Sequence, residues 1–339
     1  MLSGKAMSFI NNPEAPLLNA GLPENELFVI KDQDLLKVSP ADFSGGYIGI
    51  VSDSILTQDL LDVAGIAAGF GVTAAFQAPC ELFGHQVCMA RTDKFSPELN
   101  QELKKLSGKR DAVHVRDFPK LTAPGVILLD MDSTCIQCEC IDEIAKAWGV
   151  GAQISEITSQ AMHGLLDFKQ SLRKRVGLLK GAPAQILWDL RDRLPIMPGF
   201  PELIHLLQFH GWKTAIASGG FMTFVNRLKE EFGLTLVRAN TFRIVDGHLT
   251  GELEGDIVDS SVKVTTLNEL LDRYGIPPAQ SIAIGDGAND LPMINAAGIG
   301  FAIHAKPIVR EKAPATINNF GLDAAACLLK GAELIDRIK

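Results

Sequence analysis

The chain has 339 residues, of which 47% are hydrophobic and 21% are charged, and its formal net charge is −8. This length favours two compact units over one, and the apolar fraction excludes general disorder. Since the basic residues form no long run, the acidic balance argues against nucleic acid as a partner but not against a phosphorylated metabolite, whose local field a few cations and a metal ion can set.

The amino terminus carries no apolar run of the kind that a secretory signal requires. The most apolar segment, residues 60–76, is interrupted by Asp62 and by glycines, so it does not read as a membrane span. We therefore expect a soluble cytoplasmic protein with no membrane partner. In that setting the six cysteines are expected to be free thiols, and the group Cys135, Cys138 and Cys140 lacks the second ligand pair of a zinc site.

The N-terminal part of the chain divides into an arm and a small predicted domain. Apart from a short apolar run at residues 27–30, residues 1–45 show no sustained period and remain unassigned, as an arm or a partial strand. Residues 46–118 predict the order strand, helix, strand, strand, helix, strand, which is the split βαβ pattern of a ferredoxin-like α+β domain. In element order this region resembles ACT-like modules. That resemblance leaves amino-acid binding, support of the cap and a possible homodimer open as roles.

The C-terminal part has a different organisation. After a linker at residues 119–124, residues 125–339 contain continuous apolar strands that are each followed by a helix, which predicts an α/β fold with a doubly wound, Rossmann-like parallel sheet. Residues 136–195 have helical periods and no strand, so we expect a helical cap inserted after the first strand. Residues 241–255 predict a hairpin with an Asp246-Gly247 turn.

Polar side chains follow three of these strands where each strand ends. They are Asp130 and Asp132 after the first, Ser218 and Gly219 after the second, and Asp286, Asn289 and Asp290 after the third. The carboxyl ends of parallel strands meet at one edge of the sheet, where ligands bind. Buried carboxylates need a compensating cation, and a hard metal such as magnesium supplies it. A lone Asp after a strand would be explained by helix capping, but three such clusters at one edge favour an active site.

The same segments resemble a known superfamily. The sequence DMDST at residues 130–134, the strand end at residues 218–219, Lys263 and GDGAND at residues 285–290 resemble the four ordered motifs of haloacid dehalogenase (HAD-like) hydrolases. The resemblance spans about residues 126–310. It implies a hydrolase that is a magnesium-dependent phosphatase, in which Asp130 attacks the phosphoryl group to form an aspartyl-phosphate and Asp132 is the general acid and base.

The resemblance also implies the ligands of the metal and of the phosphate. Mg²⁺ would be bound by the Asp130 carboxylate, the Asp132 backbone carbonyl and Asp286, with Asp290 supporting these ligands from behind. The phosphate would be bound by four residues, namely Ser218, Gly219, Lys263 and Asn289. Taken alone, a lysine on a predicted helix would be a solvated residue.

A narrower resemblance concerns the substrate. The sequences DMDSTCIQCECIDEIA from residue 130 and MHGLLDFKQSLRKRVGLLKG from residue 162 look like the phosphoserine phosphatase family. This implies that Glu139 binds the substrate ammonium group and Arg175 its carboxylate, while Met162 and Phe168 close the pocket. The implied reaction is the hydrolysis of phosphoserine, the last step of a route of serine biosynthesis.

Other readings of these residues stay open from the sequence. Glu139 could be an acid at a helix N-terminus, and Met162 and Phe168 could belong to the core of the cap. The enzyme could instead be a phosphatase or phosphotransferase for another small phosphorylated metabolite such as phosphohomoserine, or the chain could be an amino-acid sensor without turnover. Cys138 and Cys140 flank Glu139, which suggests that activity is sensitive to oxidation if these thiols are accessible.

Overall fold

The computed structural model describes residue 12 and residues 14–18, 21–31, 34–106 and 108–339. The strands are β1 Leu27–Lys31, β2 Asp34–Val38, β3 Gly46–Ser52, β4 Ala74–Phe76, β5 Cys80–Leu82, β6 His85–Thr92, β7 Arg110–Val115, β8 Val126–Leu129, β9 Lys213–Phe221, β10 Leu236–Val245, β11 His248–Glu254, β12 Ser281–Gly285, β13 Ile299–Ile303 and β14 Ala315–Ile317. The helices are α1 Thr57–Gly69, α2 Pro97–Leu103, α3 Cys140–Trp148, α4 Gly151–Met162, α5 Phe168–Gly177, α6 Gln185–Arg191, α7 Phe200–Phe209, α8 Met222–Phe232, α9 Ser260–Tyr274, α10 Leu291–Ala296, α11 Pro307–Lys312 and α12 Asp323–Ile335.

Strands β1 to β7 form an antiparallel sheet. Its order is β2-β1-β4-β6-β3-β7, and β5 pairs with β6. Side chains alternate between the two faces of a strand, so Ile48 and Ile50 of β3 pack in one core cluster with residues of α1 and α2. The four strands β4, β6, β3 and β7 with these two helices have the expected ferredoxin-like arrangement. Strands β1 and β2 lie within the segment that the sequence left unassigned and extend the sheet beyond β4.

The other face of this sheet is covered by α12 from the far end of the chain. Val51, Val87 and Met89 share a core cluster with Leu328. The approach is close, because a methyl group built on Gly49 of β3 would lie 2.3 Å from the Leu328 Cδ2 atom. The N-terminal sheet is therefore enclosed on both faces, by its own helices on one side and by α12 on the other.

Strands β8 to β14 form the second sheet, in the order β11-β10-β9-β8-β12-β13-β14. The pairs are parallel except that the edge strand β11 is antiparallel to β10. The strands β8, β12 and β13 are buried along their whole length because helices cover both faces. This confirms the predicted doubly wound α/β fold. The predicted turn between β10 and β11 is also present, with positive φ at Asp246 and Gly247.

Helices α3 to α6 lie between β8 and α7 in the chain and form the predicted helical cap. The cap is tied to the β10-β11 hairpin by backbone hydrogen bonds, such as the one from Gly181 N to Leu249 O at 2.8 Å. Strand β9 differs from expectation, because it continues through Ser218 and Gly219 to Phe221 before α8 begins. Among the described residues, no helix is long and apolar enough to cross a membrane.

Candidate active site

Asp130 directly follows the buried strand β8 at the carboxyl edge of the second sheet. Its backbone N–H continues the ladder to β12 by donating to Ile284 O at 2.9 Å, which fixes where the side chain emerges. Only 6% of the residue is exposed. One carboxylate oxygen accepts a hydrogen bond from Met131 N at 2.7 Å, and the other lies 2.8 Å from the Lys263 ammonium nitrogen. The carboxylate is thus held in one orientation from both sides.

Lys263, in the first turn of α9, is fully buried between two carboxylates. Its Nζ atom lies 2.8 Å from Asp130 Oδ2 and 2.6 Å from Asp290 Oδ1. Burial alone would lower the pKa of Lys263, but the two neighbouring carboxylates raise it above its ordinary value. Its charged form is therefore secure, and the reading of this lysine as a solvated helix residue does not hold.

Asp286 and Asp290 complete an acidic group with Asp130. Carboxylate oxygens of the three residues lie within 4.8 Å of one another. Burial, followed by the charges of Asp130 and Asp290, raises the pKa of Asp286 to about 8. Such a crowded group favours a proton or a cation, and three oxygen donors suit a hard divalent ion. Asp290 already accepts from Lys263 and, at 3.0 Å, from Gly287 N, so its two oxygens are occupied by protein donors.

Asp132 lies two residues beyond Asp130 and faces a different partner. Its carboxylate accepts a hydrogen bond from the backbone N–H of Cys140, the first residue of α3, at 3.1 Å. Loss of solvation raises the pKa of Asp132 well above its ordinary value, and the charges of Glu139 and Asp130 add to the effect. A carboxyl group in this environment favours its protonated form, as a general acid requires.

Ser218 and Gly219 lie on strand β9, the neighbour of the strand that leads into Asp130 and Asp132. The Ser218 hydroxyl oxygen accepts a hydrogen bond from Gly220 N at 2.9 Å, so its own proton is free to point into the site. Glycine is required at position 220, since a methyl group there would lie 2.6 Å from the Asp132 carboxylate. The Asp132 carboxylate and the carboxyl end of β9 at Gly220 therefore pack against each other directly.

The side chain of Asn240 holds the carboxyl end of β9 in place, a role that the sequence did not predict. Its side-chain amide donates to Gly219 O at 2.8 Å and to Gly220 O at 3.3 Å, and its carbonyl accepts from Val258 N at 2.9 Å. The residue is buried. The sequence carried one signal of this role, a polar residue inside a strand of the second sheet, but no neighbouring motif drew attention to it.

The cap approaches this end of β9 through the N-terminus of α5. A methyl group built on Gly219 would lie 2.9 Å from Phe168 Cζ, so the Phe168 ring packs directly against Gly219. Next to it, Lys169 forms an ion pair with Asp259, the N-cap residue of α9, at 2.9 Å. A cavity of about 290 Å³ opens at this junction, and Lys263 and Asn289 also line it. The pair Lys169 and Asp259 was not predicted, because an ion pair between distant segments leaves no local pattern.

The candidate substrate-reading residues lie on the cap side. Glu139 accepts a hydrogen bond from the Ser133 hydroxyl at 2.7 Å, and burial of its carboxyl group raises its pKa. Arg175 on α5 interacts electrostatically with Asp142, Glu139 and Asp132. Its Nε atom is buried without a hydrogen-bond partner among the described residues. Such a donor marks a place where an anionic group fits. Met162 ends α4, but its side chain lies outside the described part of the structure.

The site can be compared with known proteins. Residues 124–298 match the family described as haloacid dehalogenase-like hydrolase. A protein of Haemophilus influenzae named phosphoserine phosphatase is 55% identical over 220 residues, which cover 65% of this chain and 70% of that protein.

Two solved structures have folds similar to that of this chain. A probable phosphoserine phosphatase from Vibrio cholerae, in unliganded form, is 40% identical with a TM-score of 0.74, and the match covers 88% of this chain and 93% of that one. A structure described as a phospho-aspartyl intermediate analogue of phosphoserine phosphatase is 40% identical with a TM-score of 0.57, covering 60% of this chain and 97% of the other. The first match extends into the N-terminal sheet, since it covers more than the second sheet and cap together.

Proposed function

Because this chain belongs to the haloacid dehalogenase-like hydrolase family, we propose that it hydrolyses O-phospho-L-serine to L-serine and inorganic phosphate. One observation carries the proposal. Asp130 is held by Lys263 at a strand end, beside Asp132 in a setting that favours its protonated form, with the unpartnered Nε atom of Arg175 facing from the cap. The relatives named phosphoserine phosphatase support the same substrate.

In the first half of the reaction Asp130 is the nucleophile. The hydrogen bond from Met131 N and the contact with Lys263 keep its carboxylate in the orientation needed for in-line attack on phosphorus. The attack leaves an aspartyl-phosphate and a seryl alkoxide. Asp132 protonates this alkoxide, and the raised pKa of Asp132 is consistent with its carrying the proton at neutral pH.

In the second half the roles reverse. Asp132, now a carboxylate, accepts a proton from the water molecule that attacks the aspartyl-phosphate. The hydrogen bond from Cys140 N keeps the Asp132 carboxylate pointing at the same place in both steps. Phe168, which packs against Gly219, limits the entry of water while the aspartyl-phosphate forms.

The phosphoryl oxygens are bound by donors from three segments: helix α9, strand β9 and the turn that follows β12. Lysine has three donors, of which two are used on Asp130 and Asp290, so one Lys263 N–H remains for the phosphoryl group. Ser218 has a free proton to donate. Asn289 lines the same cavity as Lys263. These donors are positioned before the substrate binds, so they stabilise the charge of the transition state without reorganising.

Enzymes of this family use a metal ion, and the acidic group fits one. We propose Mg²⁺, bound by the Asp130 carboxylate, the Asp132 backbone carbonyl and Asp286, with Asp290 orienting Lys263 rather than serving as a ligand. When bound, the ion would screen the negative charge of Asp130 from that of the phosphoryl group.

Residues of the cap bind the amino-acid part of the substrate. Glu139 binds the substrate ammonium group, and Arg175 binds its carboxylate with two parallel hydrogen bonds. The buried Nε atom of Arg175 supports this role, because a buried N–H group left without an acceptor is otherwise costly. A substrate without a carboxylate would leave this N–H group of Arg175 without an acceptor.

The test is phosphate release from L-phosphoserine, with and without Mg²⁺, by the wild-type chain and by Asp130→Asn. We expect release that depends on Mg²⁺ and is lost in Asp130→Asn, because the amide is not a nucleophile. Release from a simple phosphate ester but not from phosphoserine would keep the chemistry and reject the substrate. Tight serine binding with no turnover of any ester would favour the sensor instead.

A further inference from the structure

Two thiols lie beside the active site and have no part in the proposed reaction. Cys138 is half-buried, and Cys140 is buried at the start of α3. Glu139 between them has an extended backbone (φ −96°, ψ 111°), which directs the side chains of its two neighbours to the same side of the chain. The two thiols are therefore neighbours across one intervening residue.

A cavity of about 640 Å³ is lined by both thiols. Leu190, Pro195 and Phe224 give it an apolar lining, and Lys146 and Arg193 lie at its walls. The cavity at the α5 junction shares no lining residue with it. A small reagent can thus reach the thiols by a path that does not pass through the phosphate site.

The turn that carries the two thiols is bonded to the catalytic loop at three successive residues. The backbone N–H of Ser133 donates to Cys138 O at 3.2 Å, and the Ser133 hydroxyl donates to Glu139 at 2.7 Å. The backbone N–H of Cys140 donates to the Asp132 carboxylate at 3.1 Å. Any covalent change that moves this turn therefore moves a substrate-binding group and the general acid together.

We propose that Cys138 is a site of reversible oxidation by hydroperoxides, and that Cys140 converts the oxidised form into a Cys138–Cys140 disulfide that switches the active site off. Each step balances. The Cys138 thiolate attacks one peroxide oxygen, the S–O bond forms, the O–O bond breaks, and the departing hydroxide takes up a proton to become water. Cys140 then attacks the sulfenic sulfur, the S–S bond forms, and the oxygen leaves as water with the Cys140 proton.

The division of roles between the two thiols follows from their surroundings. Cys140 is buried at the start of α3, whereas Cys138 is half-buried in the turn before it. Cys138 is therefore the thiol that a peroxide reaches first. Cys140 is placed to respond because both thiols line the same cavity.

The experiment treats the full chain with hydrogen peroxide and follows two readouts, the mass of the peptide that contains both thiols and the rate of phosphate release. We expect this peptide to lose two hydrogen atoms and the rate to fall by roughly a hundredfold, the effect of a displacement near 1 Å at a catalytic group. Dithiothreitol should restore both readouts. The mass readout does not depend on the substrate, so it remains decisive if the proposed function is wrong.

Three variants separate this site from oxidation elsewhere. Cys138→Ser should keep its activity and show no disulfide, and Cys140→Ser should stop at a sulfenic acid that dimedone captures at Cys138. Cys80→Ser, which removes a half-buried thiol of the N-terminal sheet, should behave as the wild type. A peptide of unchanged mass after peroxide, in the wild type and in Cys80→Ser, would overturn the proposal. So would a disulfide that forms without loss of activity.

Discussion

The active site has two halves that differ in how their polar groups are satisfied. On the sheet side, Lys263, Asp130 and Asp290 are almost fully buried and bind one another or the backbone. On the cap side, Glu139 keeps an exposed surface and the Nε atom of Arg175 lacks a partner. These three side chains of the sheet side are thus satisfied by protein partners, and we call them the complete half. Glu139 and Arg175 form the incomplete half, which we expect a substrate with complementary charges to complete.

Lys263→Met is expected to have the largest effect on stability and on kcat, because it removes the central cation of the complete half. It leaves two buried carboxylates without their shared cation, which should lower the free energy of unfolding of the metal-free protein by about 3–5 kcal/mol. It also removes a donor to the phosphoryl group, so kcat should fall by about 10²–10³. Denaturant unfolding and steady-state kinetics measure the two effects. A stable variant with normal kcat would show that Lys263 lies outside the machinery.

Arg175→Ala tests the incomplete half. Loss of a charged hydrogen-bonding partner of the substrate carboxylate should lower kcat/KM for phosphoserine by about 10–100-fold, from about 1.5–3 kcal/mol. Its rate with a simple phosphate ester should not change, nor should its stability fall as far as that of Lys263→Met. Arg173→Ala, an exposed arginine on the same helix, is the matched control. Equal losses with both esters would remove Arg175 from substrate reading.

The sheet half could be anticipated from the sequence more fully than the cap half. Asp130 and Asp286 directly follow buried parallel strands and Ser218 lies near the carboxyl end of β9, so the rules of sheet topology alone bring them to one edge. Asn240 escaped prediction because its role depends on which backbone carbonyls the fold places beside it. The unpartnered state of Arg175 is a property of packing between helices, which residue spacing along α5 does not encode.

The N-terminal sheet shows the same limit. Strands β1 and β2 are short and partly exposed, and Leu36 keeps 44% of its surface, so their pattern is too weak to identify. The docking of α12 could not be foreseen as a contact. Its apolar residues on nearly every side, such as Ala325, Leu328 and Leu329, nevertheless indicate a helix buried all round.

The charge of the sheet half also predicts how stability depends on pH. The pKa of Asp286 is about 8 in the folded protein and 3.8 ordinarily, so between these values the folded state holds the extra proton. The free energy of unfolding of the metal-free protein should therefore fall as the pH rises from about 4 to about 8. Asp286→Asn should flatten this dependence in thermal unfolding scans. An equally steep fall in that variant would assign the effect to other groups.

The smallest effect is expected where the two halves touch. Lys169→Met removes the ion pair with Asp259 that joins α5 of the cap to α9. Since Lys169 is largely exposed, the pair contributes about 0.2–1 kcal/mol, and we expect at most about a fivefold change in KM, with kcat less affected. Lys174→Met on the same helix is the control. A larger change that persists at high salt would mean that Lys169 contacts the substrate.

The position of α12 has a consequence for how this chain reaches its folded state. Val51, Val87 and Met89 of the N-terminal sheet are covered by a helix that follows β14, so during synthesis this apolar face is made long before its cover. Until residues 323–335 leave the ribosome, the face is open to other nascent chains and to chaperones. Loss of those residues at any later time would return the sheet to that aggregation-prone condition.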